Sequence, residues 1–163
     1  MPQLNRDDEH KITLTLNGRV VSGRAEPRML LSDFLRQNLH TNSVHVGCEH
    51  GVCGACTIRV DGKAVRACLI FAVQAEGCTI DTASGLADDN GELNALQTAF
   101  KKYHALQCGY CTPGILMSVT EFLERTPNPS EEQVEDLISG HICRCTGYVG
   151  IKKAVMEVAS GSE

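Results

Sequence analysis

The chain has no tryptophan, and aromatic residues make up only 4% of its 163 positions. Its core must therefore be assembled from Ala, Val, Leu and Ile, and a core that thin calls for an additional staple in each half. No apolar run reaches transmembrane length, which excludes a membrane-spanning helix. Residues 1–11 are polar and lack both an apolar signal-peptide stretch and a twin-arginine pair, so the expected location is the reducing cytoplasm. The net charge of -5 comes without a basic cluster, which argues against nucleic acid as a partner. There is no Ser-His-Asp or Cys-His nucleophile arrangement, no glycine-rich dinucleotide or phosphate loop and no HExxH, so nothing here activates a substrate unaided. What the chain does have is nine cysteines. In a reducing compartment an odd number at tight spacings favours metal ligation over a disulfide framework.

Two cysteine sets stand out. The first is Gly47-Cys48-Glu49-His50-Gly51-Val52-Cys53-Gly54-Ala55-Cys56, with Cys68 further on. C-x4-C-x2-C followed by a distant fourth cysteine is the plant-type [2Fe–2S] spacing. Three thiolates must converge from one short segment while its amides turn inward, and Gly47, Gly51 and Gly54 permit the tight backbone this needs. A structural zinc site more often pairs two C-x2-C knuckles, and the longer arm here weighs against it. His50 lies in this loop, but four cysteines already complete the set.

The second set, in residues 107–148, organises the rest of the chain. It opens with Gln107-Cys108-Gly109-Tyr110-Cys111-Thr112-Pro113-Gly114 and closes with Cys143-Arg144-Cys145-Thr146-Gly147-Tyr148. In each half Cys-Thr is followed by Pro or Gly, which reads as Thr at a helix N-cap. Cys111 and Cys145 are thus expected just before two helix N-termini, where the macrodipole and free amides favour thiolate. With Cys108 and Cys143 they make a pseudo-two-fold cage for one metal centre. His141 reads as a solvent or packing residue. Cys78, the ninth cysteine, reads as a small core hydrophobe on an edge strand over residues 78–81.

The remaining pattern supplies the frame. Residues 11–16 and 19–25 flank Asn17-Gly18 as a β-hairpin, and Leu30, Leu31, Phe34, Leu35 and Leu39 recur at helical spacing. Residues 57–60 and 64–67 read as a second hairpin that carries Cys68 back toward the first loop. From 82 to 92 the composition turns to Ala, Ser, Gly, Asp and Asn, a domain boundary. Beyond it four short helices follow, the third starting at the capping box Ser130-Glu131-Glu132-Gln133 and the fourth covering about 147–159.

Together these motifs resemble the small iron–sulfur subunit of the molybdenum hydroxylases, the xanthine oxidase and xanthine dehydrogenase family, over nearly the whole chain. QCGYCTPG and CRCTGY carry most of that resemblance, since the first loop alone says only ferredoxin. The resemblance implies an α+β fold: a β-grasp, plant-type ferredoxin domain over residues 1–82 and an all-α four-helix-bundle domain over 83–163. Each holds one [2Fe–2S] cluster, ligated by Cys48, Cys53, Cys56 and Cys68 and by Cys108, Cys111, Cys143 and Cys145. In the family, a large subunit carries a molybdopterin cofactor and a medium subunit carries FAD, and electrons pass from the first to the second through the small chain. A dimer of such heterotrimers is the implied assembly. By position, Gln107 resembles the glutamine that hydrogen-bonds the pterin, and Cys145 the ligand whose backbone approaches it. The chain is expected to be the separate-subunit bacterial form, with an N-heteroaromatic substrate for the complex. A carbon monoxide dehydrogenase or an aldehyde-oxidising complex is the alternative within the family. Outside it stand a free-standing two-cluster ferredoxin and a zinc-stapled interaction module.

Overall fold

The computed structural model describes residues 4–5, 8–88 and 90–161. Strands β1 (His10–Leu16) and β2 (Arg19–Ala25) pair antiparallel in register from His10↔Ala25 to Leu16↔Arg19. Asn17 and Gly18 both take positive φ, 47° and 78°, as a two-residue turn matched to the strand twist requires. Alternation buries Ile12 and Leu14 on one face. Helix α1 starts as one α-turn (Leu31–Asp33) and widens into a π-turn (Phe34–Asn38), in which the Leu39 amide reaches back to the Phe34 carbonyl at 3.1 Å. A regular helix was the expectation for this stripe. The wider turn still places Leu31, Phe34 and Leu35 completely out of solvent against the sheet.

The sheet is completed by β3 (Thr57–Val60), β4 (Lys63–Arg66) and β5 (Thr79–Asp81) in the order β2-β1-β5-β3-β4. β5 is therefore central, which corrects the edge-strand expectation. It runs parallel to β1 (Thr15↔Thr79, Leu16↔Ile80) and antiparallel to β3 (Arg59↔Asp81, Val60↔Ile80). Ile80, paired on both sides, is fully buried. Cys78 also departs from expectation: it precedes the strand, is half-buried and is not part of the core. Burial and then the nearby Asp61 carboxylate push its thiol pKa up.

The second half is helical: α2 (Ala95–Lys102), α3 (Thr112–Arg125), α4 (Glu131–Ser139) and α5 (Val149–Ala159). Both Asn94 with Gln97 and Ser130 with Gln133 form reciprocal capping boxes, at α2 and α4. α5 packs on α2 and α4, and α3 lies against β3 and β4. Two separate buried clusters result. One lies under the sheet around Ile12, Phe34, Ile58 and Ile80, the other among the helices around Phe100, Ile115, Val119, Ile151 and Val155. Sheet and helices thus form an α+β chain with two cores. Among the described residues no helix is long and apolar enough to cross a membrane.

Candidate metal centres

The loop between α1 and β3 carries Cys48, Cys53 and Cys56, and a short 3-10 turn (Ala67–Leu69) after β4 returns Cys68. The amides of His50 and Cys53 both point at the Cys48 sulfur, at 3.4 Å each. Those two donors, Cys53 first, pull the Cys48 thiol down to about 6. Cys56 and Cys68 are buried at the sheet. Burial, reinforced by the neighbouring Cys68 thiol, pushes Cys56 up to about 11. Gly54 takes φ +79° between Cys53 and Cys56, a conformation a side chain would strain. His50 is exposed and turns its Nδ1 to the Cys48 carbonyl, which leaves it out of the thiol set.

The other quartet lies where the two halves of the chain meet. Cys108, Cys111, Cys143 and Cys145 all line one cavity of about 190 Å³, together with Tyr110, Ile142 and Arg144 and with Gly47, Cys53 and Ala55 from the first loop. Cys111 is itself the N-cap of α3, with Thr112 and Pro113 in the first turn. That agrees with its expected place, although Thr112 is already helical. The second half of the expectation needs correction: α5 starts only at Val149, so Thr146 is no N-cap and Cys145 stands further from the helix end. Thr146 instead uses its hydroxyl locally. It lies 3.0 Å from the Cys143 sulfur and accepts from the Tyr148 amide at 3.2 Å. Tyr148 caps α5 at φ 67°, and its phenol accepts from the Cys143 amide at 2.8 Å while donating to the His141 carbonyl at 3.1 Å.

Burial, followed by the Cys143 thiol, pushes Cys111 up to about 12. Cys145 is also raised, chiefly by the Cys108 thiol. At Cys143 burial acts upward but the Thr146 hydroxyl and amide outweigh it, and the net shift is down. Cys56 in the first quartet and Cys111 and Cys145 in the second are thus held up in part by a neighbouring thiol, a barrier that a cationic centre between the sulfurs would remove. Among the described residues no group of three or more Cys, His, Asp or Glu closes on a lone metal ion. An all-cysteine donor set is of the kind that suits zinc or an iron–sulfur centre.

His141, expected as a solvent or packing residue, is a packing residue. It is 2% exposed, its Nε2 meets the Ser118 hydroxyl at 2.8 Å, and its ring lies against Gly54 of the first loop. Burial, then the Arg66 guanidinium, depresses it to about 4, so the ring is neutral. Gln107 is exposed at the mouth of the second motif.

Several contacts between the halves carry no sequence signal. The Ile142 amide donates to the Cys53 carbonyl at 2.9 Å, so the residue next to Cys143 bonds a cysteine of the other quartet. Arg59 on β3 grips Glu124 on α3 with two bonds of 2.8 and 2.7 Å. Arg66 on β4 donates to the Gly140 carbonyl at 2.7 Å. Gly114, in the first turn of α3, lies so close to the Gly54 carbonyl that a β-carbon there would sit 2.2 Å from it.

Comparison with known proteins agrees with this geometry. Residues 14–93 match the family described as the 2Fe-2S iron-sulfur cluster binding domain, and residues 82–156 match the [2Fe-2S] binding domain. The chain is 50% identical to caffeine dehydrogenase subunit gamma of Pseudomonas sp. (strain CBB1), over 94% of this chain and 93% of that one. It is 49% identical to the nicotine 6-hydroxylase small subunit of Paenarthrobacter nicotinovorans, over 92% and 90% respectively. The crystal structure of quinoline 2-oxidoreductase from Pseudomonas putida 86 superposes with a TM-score of 0.89 at 46% identity, covering 93% of each chain.

Proposed function

Since the chain belongs to the small [2Fe–2S] subunits of the molybdenum hydroxylase family, we propose that it is the electron relay of a multi-subunit hydroxylase or dehydrogenase. In this reading it passes electrons from a molybdopterin-bearing large subunit to an FAD-bearing medium subunit. Cys48, Cys53, Cys56 and Cys68 hold one cluster, and Cys108, Cys111, Cys143 and Cys145 hold the other. The ligand sets divide the chain near residues 82 and 83 into a β-grasp ferredoxin-like domain and a four-helix domain, the latter built on α2 to α5. Each [2Fe–2S] centre, when bound, accepts and releases one electron at a time, so two in series can pass on singly the two electrons that an oxidation releases together.

The observation that carries this reading is the juxtaposition of the quartets. Cys53 lines the cavity of the second set, and its carbonyl accepts from the Ile142 amide, whose neighbour is Cys143. A run of covalent bonds and one hydrogen bond therefore joins a ligand of each set without crossing solvent. The chain's part is to hold that run rigid and to keep the thiolates solvated by amides and hydroxyls.

Exposed apolar side chains favour a bound subunit over a free-standing ferredoxin. Val52 lies in the first loop and Leu69 packs beside it at Gly51, while Tyr110 and Ile142 line the second cavity, and all four are exposed. Apolar surface left exposed beside each redox site is what two docking partners would cover. Gln107 and Cys145, both exposed at the second site, are the residues we assign to the pterin side. The named relatives act on caffeine and nicotine, and the matched crystal structure on quinoline, so an N-heteroaromatic compound is the proposed substrate class of the complex.

The test is to co-express the chain with a molybdopterin-bearing large subunit and an FAD-bearing medium subunit. About four iron and four acid-labile sulfide per small chain, with both clusters reduced on adding substrate, is the expected result. One zinc per site, or a small chain that purifies alone and is never reduced by substrate, overturns the reading. Gln107→Ala should leave both clusters intact and slow turnover of the complex; unchanged turnover removes Gln107 from the pterin site.

A further inference from the structure

One contact between the two ligand loops is made by side chains that the relay itself does not require. His45 lies three residues before Cys48, and Tyr110 stands between Cys108 and Cys111. Their rings stack with centroids 4.8 Å apart and planes inclined by 23°. His45 Nδ1 donates to the Tyr110 carbonyl at 2.8 Å, and the Tyr110 phenol donates to the Val46 carbonyl at 2.7 Å. A carbonyl only accepts, so Nδ1 carries a proton in this pair. The bond is therefore the same for the neutral Nδ1–H tautomer and for the imidazolium.

These two bonds and the stack close a small ring of interactions between segments 64 and 65 residues apart in sequence. The peptide that His45 grips leads directly into Cys111, and the peptide that Tyr110 grips lies two residues before Cys48. Other links between the halves, Arg59 with Glu124 and Arg66 with Gly140, are made from the bodies of strands β3 and β4. The His45 and Tyr110 pair is interleaved with the cysteines of both loops, and Tyr110 lines the cavity that Cys53 shares with all four cysteines of the second set. Phenol, imidazole and two carbonyls satisfy one another, so each loop holds the other in one orientation.

Resting on the two-cluster reading above, we propose that His45 and Tyr110 are a positioning pair: a clip that sets the separation and relative orientation of the two iron–sulfur sites by tying the Cys48 loop to the Cys111 loop. It is distinct from the Ile142 to Cys53 backbone bond. That bond offers a route between the sites, whereas the clip fixes how far apart and at what angle they stand.

The experiment uses the full chain loaded with iron and sulfide and fully reduced. Two paramagnetic clusters then split each other's resonance by an amount that falls with the cube of their separation and depends on their orientation. Tyr110→Phe keeps the stack and loses the phenol bond, His45→Phe keeps the stack and loses the carbonyl bond, and Tyr110→Ala removes the stack and the phenol bond together. Full iron and sulfide with a shifted or lost splitting in Tyr110→Ala, and a smaller shift of the same sense in both Phe variants, is the expected result. Splitting identical to wild type in an iron-replete Tyr110→Ala chain overturns the clip. Should Tyr110→Ala fail to load, the Phe variants decide by the same criterion.

Hydrogen exchange gives a second readout that needs no cluster. Either substitution should speed exchange in both segments, 44–48 and 108–112, and acceleration confined to the substituted loop refutes the pair. A wild-type chain with only one paramagnetic signal would count against the two-cluster reading, and the exchange result would still settle the clip.

Discussion

Gly114→Ala puts one methyl group where the two halves of the chain touch most closely. The new β-carbon would lie 2.2 Å from the Gly54 carbonyl oxygen, 2.9 Å from that of Ala55 and 3.1 Å from the Ala55 carbonyl carbon, all backbone atoms of the first ligand loop. No side chain can swing away to make room. To bring the shortest contact from 2.2 to 3.0 Å, the closest that real β-carbons come, α3 and the loop must part by 0.8 Å. Overpacking of this kind costs about 1–3 kcal/mol. Against it stands the better helix propensity of Ala over Gly, at most about 1 kcal/mol in a helix interior and less in a first turn. The net expectation is a loss of about 1–2 kcal/mol, which lowers the melting temperature of the iron-loaded chain by about 2–8 °C at a fixed scan rate. Because Cys111 caps the same helix, the splitting between the two reduced clusters should shift as well. A Gly114→Ala chain that is as stable as wild type or more so, with an unchanged splitting, would show that propensity dominates and that the contact constrains nothing.

Four further outcomes follow from the same geometry. Cys78→Ser should leave iron content unchanged, because the half-buried Cys78 thiol belongs to neither quartet, whereas Cys108→Ser should remove one paramagnetic signal and spare the other; loss of iron on replacing Cys78 refutes the assignment of eight ligands. A double-mutant cycle on Arg59 and Glu124 should give a coupling of about 1 kcal/mol that shrinks with added salt, since the bidentate geometry is good but Glu124 is more than half exposed; zero coupling at low salt contradicts a role in docking. Tyr148→Phe leaves the Cys143 amide and the His141 carbonyl without their shared partner. It should cost about 1–2 kcal/mol and alter the spectrum of the helical cluster alone; an equal change in both spectra argues against a local role. Finally, two amides serve Cys48 at the first site while a hydroxyl serves Cys143 at the second, so a redox titration should resolve two waves, and a single wave at one potential contradicts unequal fields.

Much of the fold was legible because it is local. Asn17-Gly18 between alternating strands, the capping box at Ser130, and the helical stripes through Phe100 and Ile115 each declare themselves within a few residues, and the structure places them where the spacing does. The misreadings are equally physical. β5 is only Thr79–Asp81, too short for periodicity to show on which side of the sheet it lies. Its place between β1 and β3 is fixed by a parallel pairing across more than sixty residues that leaves no trace in composition. Cys78 has the side chain of a core residue, but it stands at the approach to that strand beside Asp61. Thr146 looked like a second N-cap because Cys-Thr-Gly resembles Cys-Thr-Pro. Without proline to set the first helical φ, the chain instead passes through Gly147 and Tyr148, both at positive φ, before α5 begins.

The candidate site divides along the same line. The two cysteine motifs are a matter of residue type and spacing, so a single sequence carries them and the ligand assignment proposed from them. The relation between the two ligand sets depends instead on which surfaces meet, and the residues that decide it are ordinary in any local window: Gly114 in a first turn, His141 before a cysteine, Ile142 as an exposed aliphatic, His45 ahead of a loop. Each becomes specific only through a partner on the other half, namely the Gly54 carbonyl, the face of Gly54, the Cys53 carbonyl, and Tyr110. All four pairings involve backbone atoms of the first loop or of the Cys108 to Cys111 segment. The first loop is thus the surface on which the helical half is registered as well as a set of thiolates. A substitution that preserves all eight cysteines and shifts that loop by a fraction of an ångström would leave the iron count intact and still change how the two centres sense each other. That is why the separation of the sites, more than their occupancy, is the quantity on which the structure makes its most specific claim.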